Sequence, residues 1–338
     1  MINEYFVTAI NKALSSLKLI IKPLYQDSFE VLEGGAGEVG LYKFIISDIA
    51  YVVRIIPSLR EKSIPQELDN AIVASREGYG PKIYYNEVSR HGGICIMEFL
   101  ENDYRANRLN ENFLALLTSA IQKMHRGSSF SSSKTLVEFL VEMNEWLEKN
   151  NISYPTNSMA EISIYHANIK ILREIWGVFE KDIRPVHHDL NPTNIVYNGK
   201  NLTIIDFDTA AQDVFYLDLC VAANFYCVND KEEERLLDLY FEGNLSQVEI
   251  HKFNFIQPFA FILHALWLAS SAILQELPSQ EIIRSFSIYH ELRIKLINNE
   301  LDLTLKENIL ALSMQMFKQG IDNMMTKAFE ESIKVLAI

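Results

Sequence analysis

The sequence predicts an α+β fold, a small strand-rich lobe followed by a larger helical one, and three observations carry that reading. Apolar runs with β-branched and aromatic residues, bounded by turn residues, crowd the first hundred positions. After Leu100 the apolar spacing changes to three and four, the period of amphipathic helices. At 338 residues the chain is long enough to bury a sizeable core and to divide, and nothing in it repeats. The expected division is 1–100, a strand-rich N-terminal lobe, and 101–338, a helical C-terminal lobe.

In the first lobe, Phe29–Leu32 is short and apolar. Val39–Ile46 and Ile49–Ile56 read as strands, with Ser47–Asp48 as the hairpin turn between them. Ser63 can cap a helix that has Pro65 in its first turn, Leu68, Ile72 and Val73 on its apolar face, and Gly78 at its end. Gly80–Pro81 breaks the chain before two more strands, Lys82–Asn86 and Ile94–Phe99. The predicted order is strand, strand, strand, helix, strand, strand.

In the second lobe, Asn110 caps a helix with Phe113, Leu114, Leu117, Ile121 and Met124 on one face. Gly127–Ser133 is a polar loop. Helices come next at 135–149 and 158–180, then a strand–turn–strand over 193–206 with Asn198–Gly199 as its turn. From about 215 the pattern is helical. Phe255–Leu274 is the longest apolar region, but Gln257, Pro258, His264, Ser270 and Ser271 interrupt it, so a buried helix is predicted rather than a membrane span.

Composition narrows the function classes. The chain is 49% hydrophobic and 22% charged, ordinary for a soluble protein. The N-terminal stretch has Glu4 and no basic residues before an apolar core, so no signal peptide is expected. Cys95, Cys220 and Cys227 have no metal or redox spacing and read as buried thiols in a reducing, cytoplasmic setting. Lys and Arg number 31 against 44 Asp and Glu, a net charge of −13. That argues against a nucleic-acid partner, which needs basic patches, and is compatible with a cationic substrate.

The chemistry concentrates in His187-His188-Asp189-Leu190-Asn191-Pro192-Thr193-Asn194, followed by Ile204-Ile205-Asp206-Phe207-Asp208. Phosphoryl transfer asks a protein for a carboxylate to orient the attacking hydroxyl and accept its proton, and for oxygen ligands that hold Mg²⁺ on the nucleotide phosphates. Mg²⁺ takes hard oxygen donors and keeps several waters, so one Asn and one Asp suffice. The HxDxxxxN spacing places Asp189 in a loop with Asn194 returning beside it, and the hairpin carries Asp206 toward the same point.

This segment resembles that of the choline kinase and aminoglycoside phosphotransferase superfamily, small-molecule kinases related to the protein kinases, and the resemblance spans most of residues 30–270. It implies a protein-kinase-like two-lobed fold and ATP with Mg²⁺ as cofactors. It implies Asp189 as the catalytic base, Asn194 and Asp206 as metal ligands, and His187 as a support of the loop. Asp208 would hold a second metal, a water or substrate. Gly35 and Gly37, in Gly35-Ala36-Gly37-Glu38-Val39-Gly40, would cover the phosphates; a strand comes next, where a dinucleotide fingerprint needs a helix. Arg54 takes the place of the protein-kinase lysine, pairing with phosphates and with a helix carboxylate, Glu67 ahead of the neighbouring Glu61 and Asp69. Glu98, Phe99 and Leu100 form the hinge whose backbone would bond adenine.

Gly78-Tyr79-Gly80-Pro81-Lys82-Ile83-Tyr84 also resembles a turn of the superfamily. His125 matches a packed structural histidine, and Asp218 an aspartate that braces the loop by accepting buried hydrogen bonds. The acceptor is expected to be a small molecule, in particular a cationic amino alcohol such as choline or ethanolamine, or an aminoglycoside. His264-Ala265-Leu266-Trp267 resembles a choline-kinase helix, in which Trp267 would offer an aromatic face to an ammonium group. A plain core helix is the competing reading. For an aminoglycoside, Asp213 and Glu232–Glu234 are the candidate carboxylates, against a solvated helix face. A protein kinase and a nucleotide-binding module without turnover remain as alternative functions; no membrane partner is expected.

Overall fold

Ser47 and Asp48 both adopt positive φ, 49° and 65°. A two-residue turn needs that geometry to match the twist of the strands it joins. These strands, β2 (Gly40–Ile46) and β3 (Ile49–Pro57), form the middle of a five-stranded antiparallel sheet with β1 (Glu30–Val31), β4 (Ile83–Ser89) and β5 (Gly92–Glu98), in the order β1-β2-β3-β5-β4. The computed structural model describes residues 2–20, 22–32, 40–57, 64–103, 108–272 and 288–337. Gly35, Gly37 and the Ser63 cap lie outside them.

The chain divides into two compact units. The first is Met1–Asp103 with Phe130–Ser132 and Thr193–Ala210; the second is Tyr104–Ser129, Ser133–Pro192 and Ala211–Ile338. A boundary drawn at residue 100 therefore leaves out of the first unit the hairpin that carries Asn194 and Asp206.

In the first unit, successive side chains of β3 point to opposite faces. Tyr51, Val53 and Ile55 pack on one side with α1 (Glu4–Ser16), whose Val7, Ile10, Ala13 and Leu14 are buried. Ile56, on the other side, packs with Leu68 of α2 (Ile64–Glu77) and with Cys95. Arg54 shares the parity of Ile56. α1 is absent from the order predicted from sequence, which begins the lobe with a strand. Its signals are Asn3, whose side chain accepts the Tyr5 N–H at 2.9 Å, and the three-and-four spacing of the buried face. Gly78 ends α2 at φ +74°, a left-handed cap that glycine adopts without strain. Gly80 must lack a side chain, because a Cβ there would lie 2.7 Å from the Ala74 methyl and 3.1 Å from the Phe207 ring.

The second unit is helical. Asn110 caps α3 (Glu111–His125) by accepting the Phe113 N–H at 2.8 Å, and all five predicted apolar residues are buried. α4 (Leu136–Lys149) and α5 (Met159–Ile175) come next. Where one helix is predicted through 180, the chain tightens into a 3₁₀ segment, Trp176–Asp182, at a glycine of poor helix propensity, Gly177. β6 (Ile183–Val186) pairs antiparallel with β9 (Ala211–Val214), a small sheet not anticipated from the sequence. In the first unit, β7 (Ile195–Tyr197) and β8 (Leu202–Ile204) form the predicted hairpin.

α6 (Tyr216–Tyr226), α7 (Asp230–Tyr240), α8 (Gln247–Ala272), α9 (Tyr289–Ile297), α10 (Lys306–Met324) and α11 (Lys327–Leu336) complete the second unit. α8 is its centre and packs mainly on α10, α6 and α11. By length and composition α8 could cross a bilayer, but most of its apolar window is buried inside the protein, as expected of a core helix.

Candidate active site

The first unit builds one charged wall. Asn198 accepts the N–H groups of Lys200 and Asn201, and Gly199 takes φ +85°, closing the β7–β8 turn. The returning strand then lets the Ile205 N–H bond the Asn194 carbonyl at 2.9 Å, which sets Asp206 beside Asn194. Asp206 itself has φ +66°, a left-handed conformation that aspartate tolerates better than most residues. Phe207 is buried against Tyr79 and Phe130, and the Asn70 amide bonds the carbonyl of Ala210 at 2.8 Å, holding the turn from behind.

Arg54 lies between two carboxylates, 2.6 Å from Glu67 and 2.8 Å from Asp206. Glu67 is almost fully buried, whereas the Asp206 side chain is 38% exposed. Burial alone would lower the Arg54 pKa; Asp206 and Glu67, with the charge of Asp208, outweigh it and push it up, so the guanidinium stays charged. Arg54, Glu67, Asn194, Asp206 and Asp208 line a cavity of about 240 Å³, walled on its apolar side by Val52, Ile83, Met97 and Phe207. Glu98, Phe99 and Leu100 form its rim. The Glu98 N–H is bonded to the Lys82 carbonyl, its carboxylate accepts the Lys82 N–H, and the Phe99 N–H reaches the Ala50 carbonyl at 3.4 Å.

The second unit holds the loop around Asp189. β6 delivers the chain to His187, and Asp218, in the first turn of α6, accepts the N–H groups of His187 and His188, each at 2.9 Å. It also accepts from His125 Nε2 at 3.1 Å, and His125 Nδ1 meets the Tyr240 hydroxyl at 2.8 Å. Burial would raise the Asp218 pKa; the hydrogen bond and charge of His125, with His187, more than offset it and hold the carboxyl low. Both expected structural roles, Asp218 as brace and His125 as a packed histidine, are thus visible in the bonds. His187 is fully buried and its Nδ1 accepts the Asp189 N–H at 3.3 Å.

Asp189 receives two side-chain donors on Oδ1, Asn191 at 2.7 Å and His264 Nε2 at 3.1 Å. Its burial would raise its pKa, but His264, Asn191 and the charge of His187 together hold it low, so the carboxylate is ionised and can accept a proton. His264 bonds the Ala260 carbonyl through Nδ1 at 3.0 Å. Trp267, half-buried, meets His264 and Phe139 edge-on.

Asp213 is completely buried: it pairs with His188 Nε2 at 2.9 Å and accepts the N–H groups of Leu136 and Val214. This corrects its candidacy as a carboxylate for ammonium groups, since its oxygens are occupied inside the fold. Glu232 caps the Val228 N–H and Glu233 bonds Gln257, so these two are more than a solvated helix face. Sequence reasoning assigns no role to His188, to Asn191 or to the contact of His264 with Asp189. The doubled histidine before Asp189 is the only local signal for the first, and in the sequence His264 stands out only as a companion of Trp267.

The profile of the phosphotransferase enzyme family matches residues 30–250, and the chain belongs to that family. It is a small-molecule phosphotransferase with a kinase-like α+β fold. A choline/ethanolamine kinase family protein from Mesorhizobium loti is similar at 17% identity and TM-score 0.65, over 97% of this chain and 98% of that one. A choline kinase from Streptococcus pneumoniae is similar at 17% identity and TM-score 0.58, over 88% of this chain and 100% of that one. An aminoglycoside phosphotransferase from Streptomyces rimosus, solved with ADP and streptomycin, is similar at 14% and TM-score 0.54, over 79% and 99%. No curated protein sequence matches the chain.

The donor set of the first unit suits Mg²⁺. Among the described residues no three His, Cys, Asp or Glu side chains gather to hold a metal unaided. An amide and two carboxylates on one cavity wall, Asn194, Asp206 and Asp208, are what an ion needs that takes its remaining ligands from phosphates and water.

Proposed function

We propose that the donor is ATP carried with Mg²⁺, that the acceptor is a small amino alcohol bearing one cationic group, and that Asp189 takes the proton of its hydroxyl. The observation that supports the donor assignment above all is Arg54, held between Glu67 and Asp206 on the wall of the cavity that also carries Asn194. A guanidinium so placed can shift its bonds from Asp206 to phosphate oxygens without losing Glu67. With the N–H groups of Glu98 and Phe99 already bonded, the rim would address adenine through the Glu98 carbonyl and the Leu100 N–H.

Asn194 and Asp206 would hold the metal, which when bound neutralises charge on the phosphate oxygens. Asp189 orients the acceptor hydroxyl and accepts its proton as the acceptor oxygen bonds the γ-phosphorus and ADP leaves. Trp267, half-buried beside Phe139, would offer an aromatic face to a single cation, and the burial of Asp213 speaks against a polycationic aminoglycoside. Three buried free thiols support work in a reducing compartment such as the cytoplasm.

The test is turnover of Mg²⁺-ATP with ethanolamine, choline, thiamine, homoserine, methylthioribose and streptomycin, with the phosphomonoester detected by ³¹P NMR. Ethanolamine or choline should be phosphorylated. Turnover confined to streptomycin or to an uncharged sugar would overturn the acceptor assignment.

A further inference from the structure

His264 is five per cent exposed and sits in the C-terminal half of α8, the helix at the centre of the second unit. Its two ring nitrogens face oxygens that can only accept: Nδ1 the Ala260 carbonyl at 3.0 Å, Nε2 the Asp189 carboxylate at 3.1 Å. Both bonds form together only when the ring carries a proton on each nitrogen. Phe225 and Trp267 meet the ring edge-on, with centroids 5.7 and 5.3 Å away, so its plane is fixed by packing as well as by the carbonyl behind it. A histidine needed only for packing would be satisfied by the bond to its own helix.

We propose that His264 is a positioning residue for Asp189: locked from behind by Ala260, it donates to Oδ1 and, with Asn191 from the loop itself, sets the orientation of the carboxylate that receives the acceptor proton. This inference rests on Asp189 being the base. Two donors from different elements, one of them on a rigid helix, converge on one oxygen at 2.7 and 3.1 Å. Fixing the plane of a base matters because misplacement by about 1 Å can cost about a hundredfold in rate.

The experiment compares wild type, His264→Leu, His264→Gln and Asp189→Asn in full-length protein. Turnover of Mg²⁺-ATP is read with choline and ethanolamine as probes, and with water where neither is phosphorylated. In parallel, ¹⁵N NMR of labelled histidine rings reports the protons on His264. His264→Leu should lower kcat roughly 10- to 100-fold and leave the acceptor KM within about threefold. His264→Gln, which keeps a donor of similar reach, should recover most of the loss. The wild-type ring should be doubly protonated and lose that signature in Asp189→Asn.

Unchanged kcat in His264→Leu, or equal losses in Leu and Gln with KM rising in step, would overturn the inference. So would a singly protonated wild-type ring, which decides the matter even if His264→Leu does not fold. If Asp189→Asn stays active, the assignment of the base fails, and the ring spectrum still judges the His264–Asp189 pair by itself.

Discussion

Glu67 and Asp206 of the first unit share a single cation, Arg54, on the wall of an open cavity, while Asp213 and Asp218 of the second unit are sealed among N–H donors and histidines. Both arrangements compensate carboxylates, one pair on an open wall and one inside the fold, by different means. In the first unit the compensation is one guanidinium that bonds both carboxylates and that a phosphate would recruit under the proposed function. In the second it is largely backbone, and backbone cannot be exchanged without unfolding the loop. The wall around Arg54 has a side-chain partner that could be exchanged, and the loop around Asp189 does not.

Removing chemistry from the sealed side alone should have the largest effect. Asp189→Ala should reduce turnover by about 10²–10⁴-fold with the Kd for ATP within a few-fold, measured by isothermal titration against a kinetic assay. Comparable loss of ATP affinity would show that the two units are not separable in function. On the open side, Asp206→Asn should remove the Mg²⁺ dependence of ATP binding, and Arg54→Met should raise the KM for ATP by roughly 10- to 100-fold, worth about 1.4–2.8 kcal/mol. A normal ATP KM in Arg54→Met would remove the guanidinium from the phosphate site.

Asp218→Ala probes the seal itself. Removing this buried acceptor leaves two loop amides and His125 unanswered, and should cost about 3–5 kcal/mol, read from denaturant unfolding. The sign with pH follows from the lowered pKa of Asp218: its contribution is present above the ordinary carboxylate range, near pH 4, and is lost as pH falls through that range toward the folded value. The acid limb of stability should therefore be flatter in Asp218→Asn than in wild type. An effect on packing alone is expected at Gly320 of α10, where a Cβ would lie 2.9 Å from the Pro258 carbonyl and from the Ile262 side chain. Gly320→Ala should cost about 1–3 kcal/mol by pushing α8 aside, with ATP affinity unchanged.

Much of this is legible in the sequence, where chemistry demands a fixed spacing. Asp189, Asn194 and Asp206 stand out because the proposed loop base and its two proposed oxygen ligands would have to recur at set distances along the chain. Arg54 and Glu67 emerge from their strand and helix, and the structure pairs them. The hidden part depends on contacts between distant segments. Asp213 looks like an exposed acid because its partner, His188, lies 25 residues earlier. His264 meets Asp189 across 75 residues, which no local pattern encodes. α1 escapes for another reason: its helical signals are present, but the strand-rich segment after it dominates the expectation for the whole lobe.

α8 is at once the core of its unit and the helix that presents His264 and Trp267. For an evolving lineage this couples two traits that surface loops keep apart. A new acceptor preference acquired through α8 would arrive with altered packing against α6, α10 and α11. Such innovations should come late, after stabilising substitutions elsewhere have created a margin, whereas drift on the exposed face of α11 is free of that requirement.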